Sequence, residues 1–351
     1  MRRITAVLLL IGLIALPGCG EAGPVEVSRE ALGTVVTITA YGDDDAAVRQ
    51  AVDDAFAVMA EVVAPLNAYE PESEIAAFNR QPYTLQPLPP RFVDVLDAID
   101  RLDVADAFSP FLMSASGLYG FEGSQTIPPP DDLELSLSAA DGFVRADTHN
   151  GVFARLKTSD ARLEPGGVLA PGLDASGAAK GLALDAARES LRDSDAITAA
   201  LISSGSSTVT LGTKPEGEAW RVGIEDPRDP ESVIAVFTFE GEGALSTSGD
   251  YQRYFEAGGI RYHHILDPAT GEPARGVRSL TVAGASLTGL ESDILSTALF
   301  VRGVDRAAGY ASAEGVALLA VDDEGRTHIV PAPEGSGLTV AEETSPDRSS
   351  P

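Results

Sequence analysis

The spacing of apolar residues along the chain predicts four amphipathic helices. Apolar side chains recur every three or four positions over residues 44–66, 91–104, 178–191 and 288–302, as on the buried face of an α-helix. In the first segment the face consists of Val48, Val52, Phe56, Met59 and Val63. These four segments are long enough to form the helical layer of a domain.

Strand patterns occur around and between these helices. Residues 32–41 are rich in β-branched side chains, several short strand candidates lie between 199 and 282, and residues 315–330 resemble a closing hairpin. Three successive prolines predict that residues 126–132 form a loop. With no internal repeat and no shift in composition, the pattern favours one α+β domain over residues 31–334, with mixed, mostly antiparallel strands and packed helices. The Ser/Glu/Pro-rich residues 335–351 predict a disordered tail.

The first nineteen residues resemble a bacterial lipoprotein signal. Arg2 and Arg3 precede an apolar run over residues 4–16, which is too short to span a membrane, and Leu-Pro-Gly-Cys ends at Cys19. We expect a signal peptide at 1–18, a lipidated Cys19 and a tether over 19–30. The mature protein would then be lipid-anchored at a bacterial cell membrane, facing the periplasm or the cell exterior. The alternative is a plain secretory signal with an incidental cysteine.

The charge of the chain excludes some classes of partner. The sequence has 53 acidic and 25 basic residues, a formal net charge of −28 at pH 7. Such a chain is unsuited to binding nucleic acid, whose phosphates require a basic surface. A single cysteine excludes an intramolecular disulfide. The sequence also lacks a Walker loop, a dinucleotide-binding Gly-x-Gly-x-x-Gly after a strand, His-Glu-x-x-His and a Gly-x-Ser-x-Gly elbow.

The segment DASGAAKG at 174–181 stands where the third helix begins. Small residues allow a ligand to approach the backbone, and the free N–H groups of a helix start favour an anion. Lys180 adds a positive charge suited to a phosphate. The alternative is a tightly packed helix start with a solvated lysine.

Two further segments carry oxygen and nitrogen ligands. Asp293 and Thr297 are four residues apart in the fourth helix, so their oxygens share one face and could bind Mg²⁺. His264 precedes an Asp-Pro-x-Thr-Gly turn and could accept a proton from an attacking hydroxyl. The alternatives are an ordinary helical pair and a structural histidine. Tyr69 lies in a turn that leads to a short helix with Ser73 as its N-cap.

In this order and spacing the motifs resemble the ApbE-like FAD:protein FMN transferases. The likeness covers about residues 32–330. It consists of LGT at 32–34, residues 69–80, AFSP at 107–110, LYGF at 118–121 and DASGAAKG at 174–181, then WRVGIEDPR at 220–228, STSGDY at 246–251, the His264 turn and DILST at 293–297.

The resemblance implies a flavin-transfer site. Mg²⁺ would be held by Asp293, Thr297 and the backbone carbonyl of Gly177, with His264 as the catalytic base. FAD, the substrate, would be contacted by Leu32, Tyr69, Ala107, Phe108, Ser109, Asp174, Lys180 and Leu266. The family moves FMN from FAD onto a threonine or serine hydroxyl of an acceptor protein and releases AMP. We expect the acceptor to be an electron-transport subunit.

The chain departs from the family pattern at four places. Ser109 replaces the Asp of Phe-Asp-Pro, and Ser206-Ser207 follow Gly205 where Gly-Asp is usual. Met113-Ser114 replace a glycine and a proline, and Leu32 replaces a methionine. These changes lie in the flavin pocket more than at the metal site. They leave two alternatives to transfer: a periplasmic FAD pyrophosphatase that yields FMN and AMP, and a non-catalytic flavin-binding lipoprotein.

Overall fold

The fold is built on antiparallel strands. The computed structural model describes residues 23–121, 123–138, 143–157 and 171–342. Within these ranges the strands are β1 (Val25–Ala31), β2 (Thr34–Tyr41), β3 (Gln86–Pro87), β4 (Val144–Thr148), β5 (Gly151–Arg155), β6 (Ala199–Ser203), β7 (Ser207–Leu211), β8 (Trp220–Asp226), β9 (Asp229–Phe239), β10 (Gly243–Gly249), β11 (Tyr254–Ala257), β12 (Ile260–His263), β13 (Val277–Gly284), β14 (Ala317–Asp322), β15 (Thr327–Val330) and β16 (Leu338–Glu342).

Eight α-helices lie within the described residues. They are α1 (Asp45–Val63), α2 (Glu74–Arg80), α3 (Pro90–Arg101), α4 (Met113–Tyr119), α5 (Pro130–Ser138), α6 (Ser176–Arg192), α7 (Gly289–Arg302) and α8 (Val304–Glu314). The α1, α3, α6 and α7 segments confirm the four helices that the apolar spacing predicts. Side-chain caps define two of their starts: Asp44 accepts from two N–H groups of α1, and Thr288 with Glu291 forms a capping box on α7.

The main sheet has eight strands in the order β1-β2-β6-β7-β10-β13-β14-β15. Each neighbouring pair is antiparallel, which confirms the α+β class. Successive strand residues point to opposite faces. Ala244 and Leu318 therefore pack against the helices, whereas Leu245 and Leu319 pack against a three-stranded sheet, β16-β9-β8, on the other face. A third apolar cluster joins α4, α5 and the β11–β12 hairpin.

Three expectations from the sequence are wrong. Residues 25–30, predicted as tether, belong to β1, which pairs with β2 along its whole length and buries Val25. Residues 338–342 of the predicted disordered tail form β16 and pair with β9. The three prolines do not keep 126–132 entirely in a loop, because Pro130 begins α5, where its missing N–H costs no helical hydrogen bond.

Some parts of the prediction lie outside the described residues. These are the signal peptide at 1–18, the lipidated Cys19 and residues 343–351. In the described part of the chain, no helix combines the length and the apolar character that crossing a membrane requires.

Candidate functional site

Two adjoining cavities open at the start of α6. The larger has a volume of about 780 Å³ and the smaller about 160 Å³. Both are lined by Tyr69, Asp174, Ser176, Lys180, Thr247, Gln252 and Arg253, so they share a wall. Their combined volume falls within the range of about 300–1,000 Å³ that is typical of small-molecule sites. We call them the wide cavity and the narrow cavity.

The candidate residues from the sequence converge on these cavities. Leu32 lines the wide cavity. The narrow cavity is lined by Tyr69, Ala107, Phe108, Ser109, Asp174, Gly177, Lys180, His264, Leu266, Asp293 and Thr297. These residues come from six separate stretches of the chain. The structure therefore brings together every candidate that it describes, and only Cys19 lies outside the described residues.

Lys180 reaches the cavities from the first turns of α6. Its Nζ donates a hydrogen bond to Ser206 Oγ at 2.6 Å, across to the turn between β6 and β7. At the start of the helix, Asp174 Oδ1 accepts from the Ser176 N–H at 2.8 Å, and Asp174 Oδ2 accepts from the Tyr69 hydroxyl at 3.5 Å. The lysine charge is thus fixed next to a helix N-terminus, which favours an anionic group in the shared part of the cavities.

Asp293 is held at the contact between α6 and α7. Its Oδ2 accepts from the Gly181 N–H at 2.9 Å, and its Oδ1 accepts from Ser207 Oγ at 3.3 Å. The helices approach so closely that a Cβ on Gly181 would lie 2.1 Å from the carbonyl oxygen of Gly289. Burial raises the pKa of the Asp293 carboxyl, against the lowering effects of Lys180 and of the two hydrogen bonds.

The oxygen atoms near Asp293 suit a hard cation. Thr297 lies one helical turn further along α7, and its Oγ1 is 3.0 Å from Ser248 Oγ. Gly177 lines the same cavity. One carboxylate, one hydroxyl and a backbone carbonyl are the ligand types that Mg²⁺ takes alongside substrate phosphates and water. The residues therefore fit the ion, although the described residues contain no cluster of three or more His, Cys, Asp or Glu side chains of the kind that holds a metal alone.

His264 and His263 face different surroundings, as the alternation of a strand predicts. His264 follows the end of β12 and lines the narrow cavity, where its buried Nδ1 has no hydrogen-bond partner. His263 Nε2 is 2.8 Å from the Ala274 carbonyl oxygen, and its ring meets Phe300 edge-on. His263 is thus a structural residue, whereas His264 lines the cavity and keeps a buried ring nitrogen without a partner.

The pKa of His264 is lowered to about 3. Burial is the largest cause, and the nearby positive charges of Arg253 and Lys180 also lower it. A hydrogen bond between the ring and the Arg253 backbone acts in the opposite direction. The ring is therefore neutral at pH 7. Since the low pKa depends on burial and on nearby positive charge, an anionic ligand beside Lys180 and Arg253 raises it.

Leu32 occupies an unusual backbone conformation. It forms the two-residue turn between β1 and β2 with Gly33, and both residues have positive φ angles, 55° and 71°. Such a hairpin turn normally has Asn or Asp before the glycine, because a branched side chain is strained at positive φ. The strained turn places the Leu32 side chain at the wide cavity.

Sequence reasoning missed several residues that line the site. Arg253, Gln252 and Thr247 lie in the wall that the cavities share. A signal existed for all three, because Thr247 lies within the STSGDY motif and Gln252 and Arg253 directly follow it. The partnership of Ser206 with Lys180 had no such signal, since it depends on how the β6–β7 turn packs beside α6.

Comparison with known proteins identifies relatives of similar length. The model of the ApbE family matches residues 32–320. An FAD:protein FMN transferase from Treponema pallidum is 30% identical over 317 residues, covering 84% of each chain. One from Vibrio cholerae is 28% identical over 327 residues, covering 89% of this chain and 92% of the relative. The crystal structure of the ApbE protein from Thermotoga maritima superposes with a TM-score of 0.72 at 27% identity, covering 87% of this chain and 96% of the other.

Proposed function

The chain belongs to the ApbE family, and we propose that it moves FMN from FAD onto a threonine or serine hydroxyl of an acceptor protein, releasing AMP. Transfer of FMN from FAD to a protein is the activity for which its curated relatives are named. The observation that supports transfer to a hydroxyl is that His264 lines one cavity together with Lys180 and Asp293, and that its buried Nδ1 has no hydrogen-bond partner.

The proposed reaction is attack of the acceptor hydroxyl on the FMN-side phosphorus of FAD. The new bond joins the hydroxyl oxygen to phosphorus, and the bond from phosphorus to the bridging oxygen breaks, so that AMP leaves. The hydroxyl proton goes to His264, whose ring is neutral and whose Nδ1 has no hydrogen-bond partner. A hydroxyl is a poor nucleophile near neutral pH, so a positioned base contributes roughly 10²–10⁴ in rate.

Charged and polar groups of the chain orient the substrate. Lys180, fixed by Ser206 at 2.6 Å, faces the diphosphate and stabilises the negative charge that develops on its oxygens. The diphosphate charge in turn offsets Lys180 and Arg253, which raises the pKa of His264 towards a range where it accepts a proton. Leu32, Tyr69, the 107–109 stretch, Asp174 and Leu266 would contact the rest of FAD.

Magnesium would be held by Asp293, Thr297 and the Gly177 carbonyl, and it would supply a Lewis acid that polarises phosphoryl oxygens. The serine that replaces the usual Asp at 207 does not remove a group from this set, since Ser207 donates to Asp293 instead. We propose that this bond orients the Asp293 carboxylate. The replacement at 207 therefore leaves the proposed set of metal ligands unchanged.

Product analysis tests the proposal. The protein lacking residues 1–18 is incubated with FAD and Mg²⁺, with and without a candidate acceptor, such as an electron-transport subunit encoded by a neighbouring gene. We expect a covalently fluorescent acceptor and AMP in a one-to-one ratio. Free FMN with AMP in equal amounts, whether or not the acceptor is present, would identify a pyrophosphatase. Intact FAD under all conditions would identify a flavin-binding protein.

We also propose that Cys19 carries a lipid that anchors the mature protein at the membrane, facing the periplasm or cell exterior. The support is the charged, short apolar and Leu-Pro-Gly-Cys sequence at the N-terminus. Radiolabelled palmitate should label the wild-type protein and not Cys19→Ser. Equal labelling of the two proteins would contradict the anchor without affecting the proposed reaction.

A further inference from the structure

A third cavity, separate from the two described above, is lined by arginine side chains. Its volume is about 220 Å³. It is lined by Arg228, Arg261, Arg275 and Arg278 and by the carboxylates of Asp250 and Asp323. We call it the arginine cavity. Four arginines and two carboxylates in one wall contrast with a chain whose formal net charge is −28.

Two of the four arginines are balanced by carboxylates. Arg228 forms a bidentate pair with Asp250, with distances of 2.8 and 2.7 Å. Arg261 Nη2 lies 3.1 Å from Glu256 Oε1, and its Nη1 is 3.4 Å from Asp250 Oδ1. These pairs leave Asp250 buried between two guanidinium groups.

The other two arginines are held by neutral groups. Arg275 Nη1 donates to the Arg261 carbonyl oxygen at 2.6 Å, and Arg278 Nη2 donates to the carbonyl oxygen of Asp323. The Asp323 carboxylate itself accepts from the backbone N–H of Gly276 at 2.9 Å. Because a carbonyl carries no net charge, these bonds orient the two guanidinium groups without neutralising them. The Asp323 carboxylate offsets one of the two positive charges, and the wall keeps a net positive charge for a ligand. Planar guanidinium groups bind carboxylates through paired hydrogen bonds.

The arginine cavity adjoins the candidate active site at two points of the chain. His263 lines the arginine cavity and His264 lines the narrow cavity. In the same way, Gly249 lines the narrow cavity and the next residue, Asp250, lines the arginine cavity. The two cavities therefore lie on opposite sides of the same two segments of chain, and the proposed base follows directly after a residue that lines the arginine cavity.

An apolar cavity of about 440 Å³ extends the same surface. It is lined by Tyr119, Ile127, Leu133 and Tyr262, with Glu134 and Glu272 as its acidic members, and Arg275 lines both this cavity and the arginine cavity. The Arg275 guanidinium lies 5.6 Å from the centre of the Tyr262 ring. A small anion would use only the arginines, whereas a polypeptide segment would use the basic and the apolar parts together.

We propose that the arginine cavity binds carboxylate side chains of an acidic segment of the acceptor protein, and so docks the acceptor on the surface that adjoins the candidate active site. This inference rests on the proposed function, because it names the partner of that reaction. The negative charge elsewhere on the chain repels an acidic partner, and the arginine cavity attracts it. Such a pattern directs the partner to one orientation.

Direct binding tests the inference without any turnover. A fluorescein-labelled oligoglutamate peptide is titrated with the full chain, and anisotropy reports binding. We expect Arg275→Glu to weaken binding by about tenfold or more and Arg275→Gln by a smaller factor. Added salt should weaken binding to the wild type, because exposed charge pairs are screened. The control is Arg49→Glu, an exposed position of α1 that changes the net charge equally and lines none of the described cavities.

The outcomes separate this inference from the proposed function. Equal binding by wild type and Arg275→Glu, or no binding by the wild type, would overturn the inference. So would inorganic phosphate that displaces the peptide at concentrations similar to those of the peptide itself, because the site would then be one for small anions. FAD affinity and acceptor-independent release of FMN are measured on the same variants, and we expect both to be unchanged. Failure of the wild type to turn over FAD would contradict the proposed function and leave the peptide result standing.

Discussion

The candidate site has a floor, formed by Asp293 and Thr297, and a rim, formed by Tyr69 and Leu32. The two parts differ in how firmly their side chains are held. On the floor, Asp293 is buried and bonded to Gly181 and Ser207, and Thr297 contacts Ser248. On the rim, Tyr69 is 67% exposed, and its hydroxyl reaches Asp174 only at 3.5 Å. The floor is thus preorganised for the proposed metal and phosphate chemistry, whereas the rim is open to solvent and can adapt to the flavin. Catalytic rate should depend on the floor, and substrate affinity on the rim.

The largest expected effect is at Asp293. We expect Asp293→Asn to lower the rate of FMN transfer by ~10³ or more, because the amide lacks the charge that a hard cation requires. The amide oxygen can still accept from Gly181, so the fold should persist. Fluorescence of the flavinylated acceptor at saturating FAD and varied Mg²⁺ measures the effect.

A matched control for Asp293 lies nearby on α6. Asp185 is a carboxylate between α6 and α7 that accepts from the N–H groups of Gly289 and Leu290, and it lines none of the described cavities. Asp185→Asn should lower Tm and leave the transfer rate close to wild type. If the two variants lose activity equally, the floor would be structural and not catalytic.

The next largest effect is expected at His264. His264→Gln should lower the transfer rate by roughly 10² or more, with FAD affinity nearly unchanged, since its proposed role is proton acceptance. His328→Gln serves as control, because His328 lies on the surface hairpin beside Asp322. A normal rate at saturating FAD together with weakened FAD binding would mean that His264 binds FAD and does not accept the proton.

The same histidine should make stability depend on pH. In the folded, FAD-free chain the pKa of His264 is about 3, whereas an unfolded histidine has a pKa near 6.5. Below about pH 6.5 the unfolded chain binds a proton that the folded chain does not, so stability falls as pH falls. Between pH 7 and 5 the wild type should lose up to about 2 kcal/mol more than His264→Gln. Urea unfolding followed by the fluorescence of Trp220 measures this difference, and equal losses would mean that His264 is solvated.

The smallest effect is expected on the rim at Leu32. Leu32→Asn places a residue that tolerates positive φ in the β1–β2 turn, and should raise the free energy of unfolding by ~1 kcal/mol. It also removes an apolar side chain from the wide cavity, so KM for FAD should rise a few-fold with kcat unchanged. A fall in kcat instead would show that the rim contributes to the chemistry.

The sequence predicted the elements whose signal is local. Helix periodicity was enough to place Asp293 and Thr297 on one face of α7. The strand β16 was missed because its stability comes from pairing with β9, and the composition around it suggested disorder. The short helix α4 has too few turns to show a period.

The site followed the same division. Motif order indicated which residues belong to it, because each motif is a continuous stretch of chain. It could not show that Ser206 holds Lys180, or that Arg275 and Arg278 are bonded to backbone carbonyls. Those contacts arise only when distant segments pack together. Tertiary packing also places Ser207, the residue found where the family usually has Asp, within hydrogen-bond distance of Asp293.

If Cys19 carries the proposed lipid, the position of β1 limits the distance between the domain and the membrane. β1 begins at Val25 and forms one edge of the main sheet, so only six residue steps separate it from Cys19. At ~3.3–3.6 Å per residue, the chain between Cys19 and Val25 spans at most about 20 Å. A domain of this size has a radius of gyration of about 20 Å. A lipid on Cys19 would therefore hold the domain at a distance from the bilayer that is smaller than the diameter of the domain. If the proposed anchor is present, the acceptor would have to reach a domain that is held this close to the bilayer.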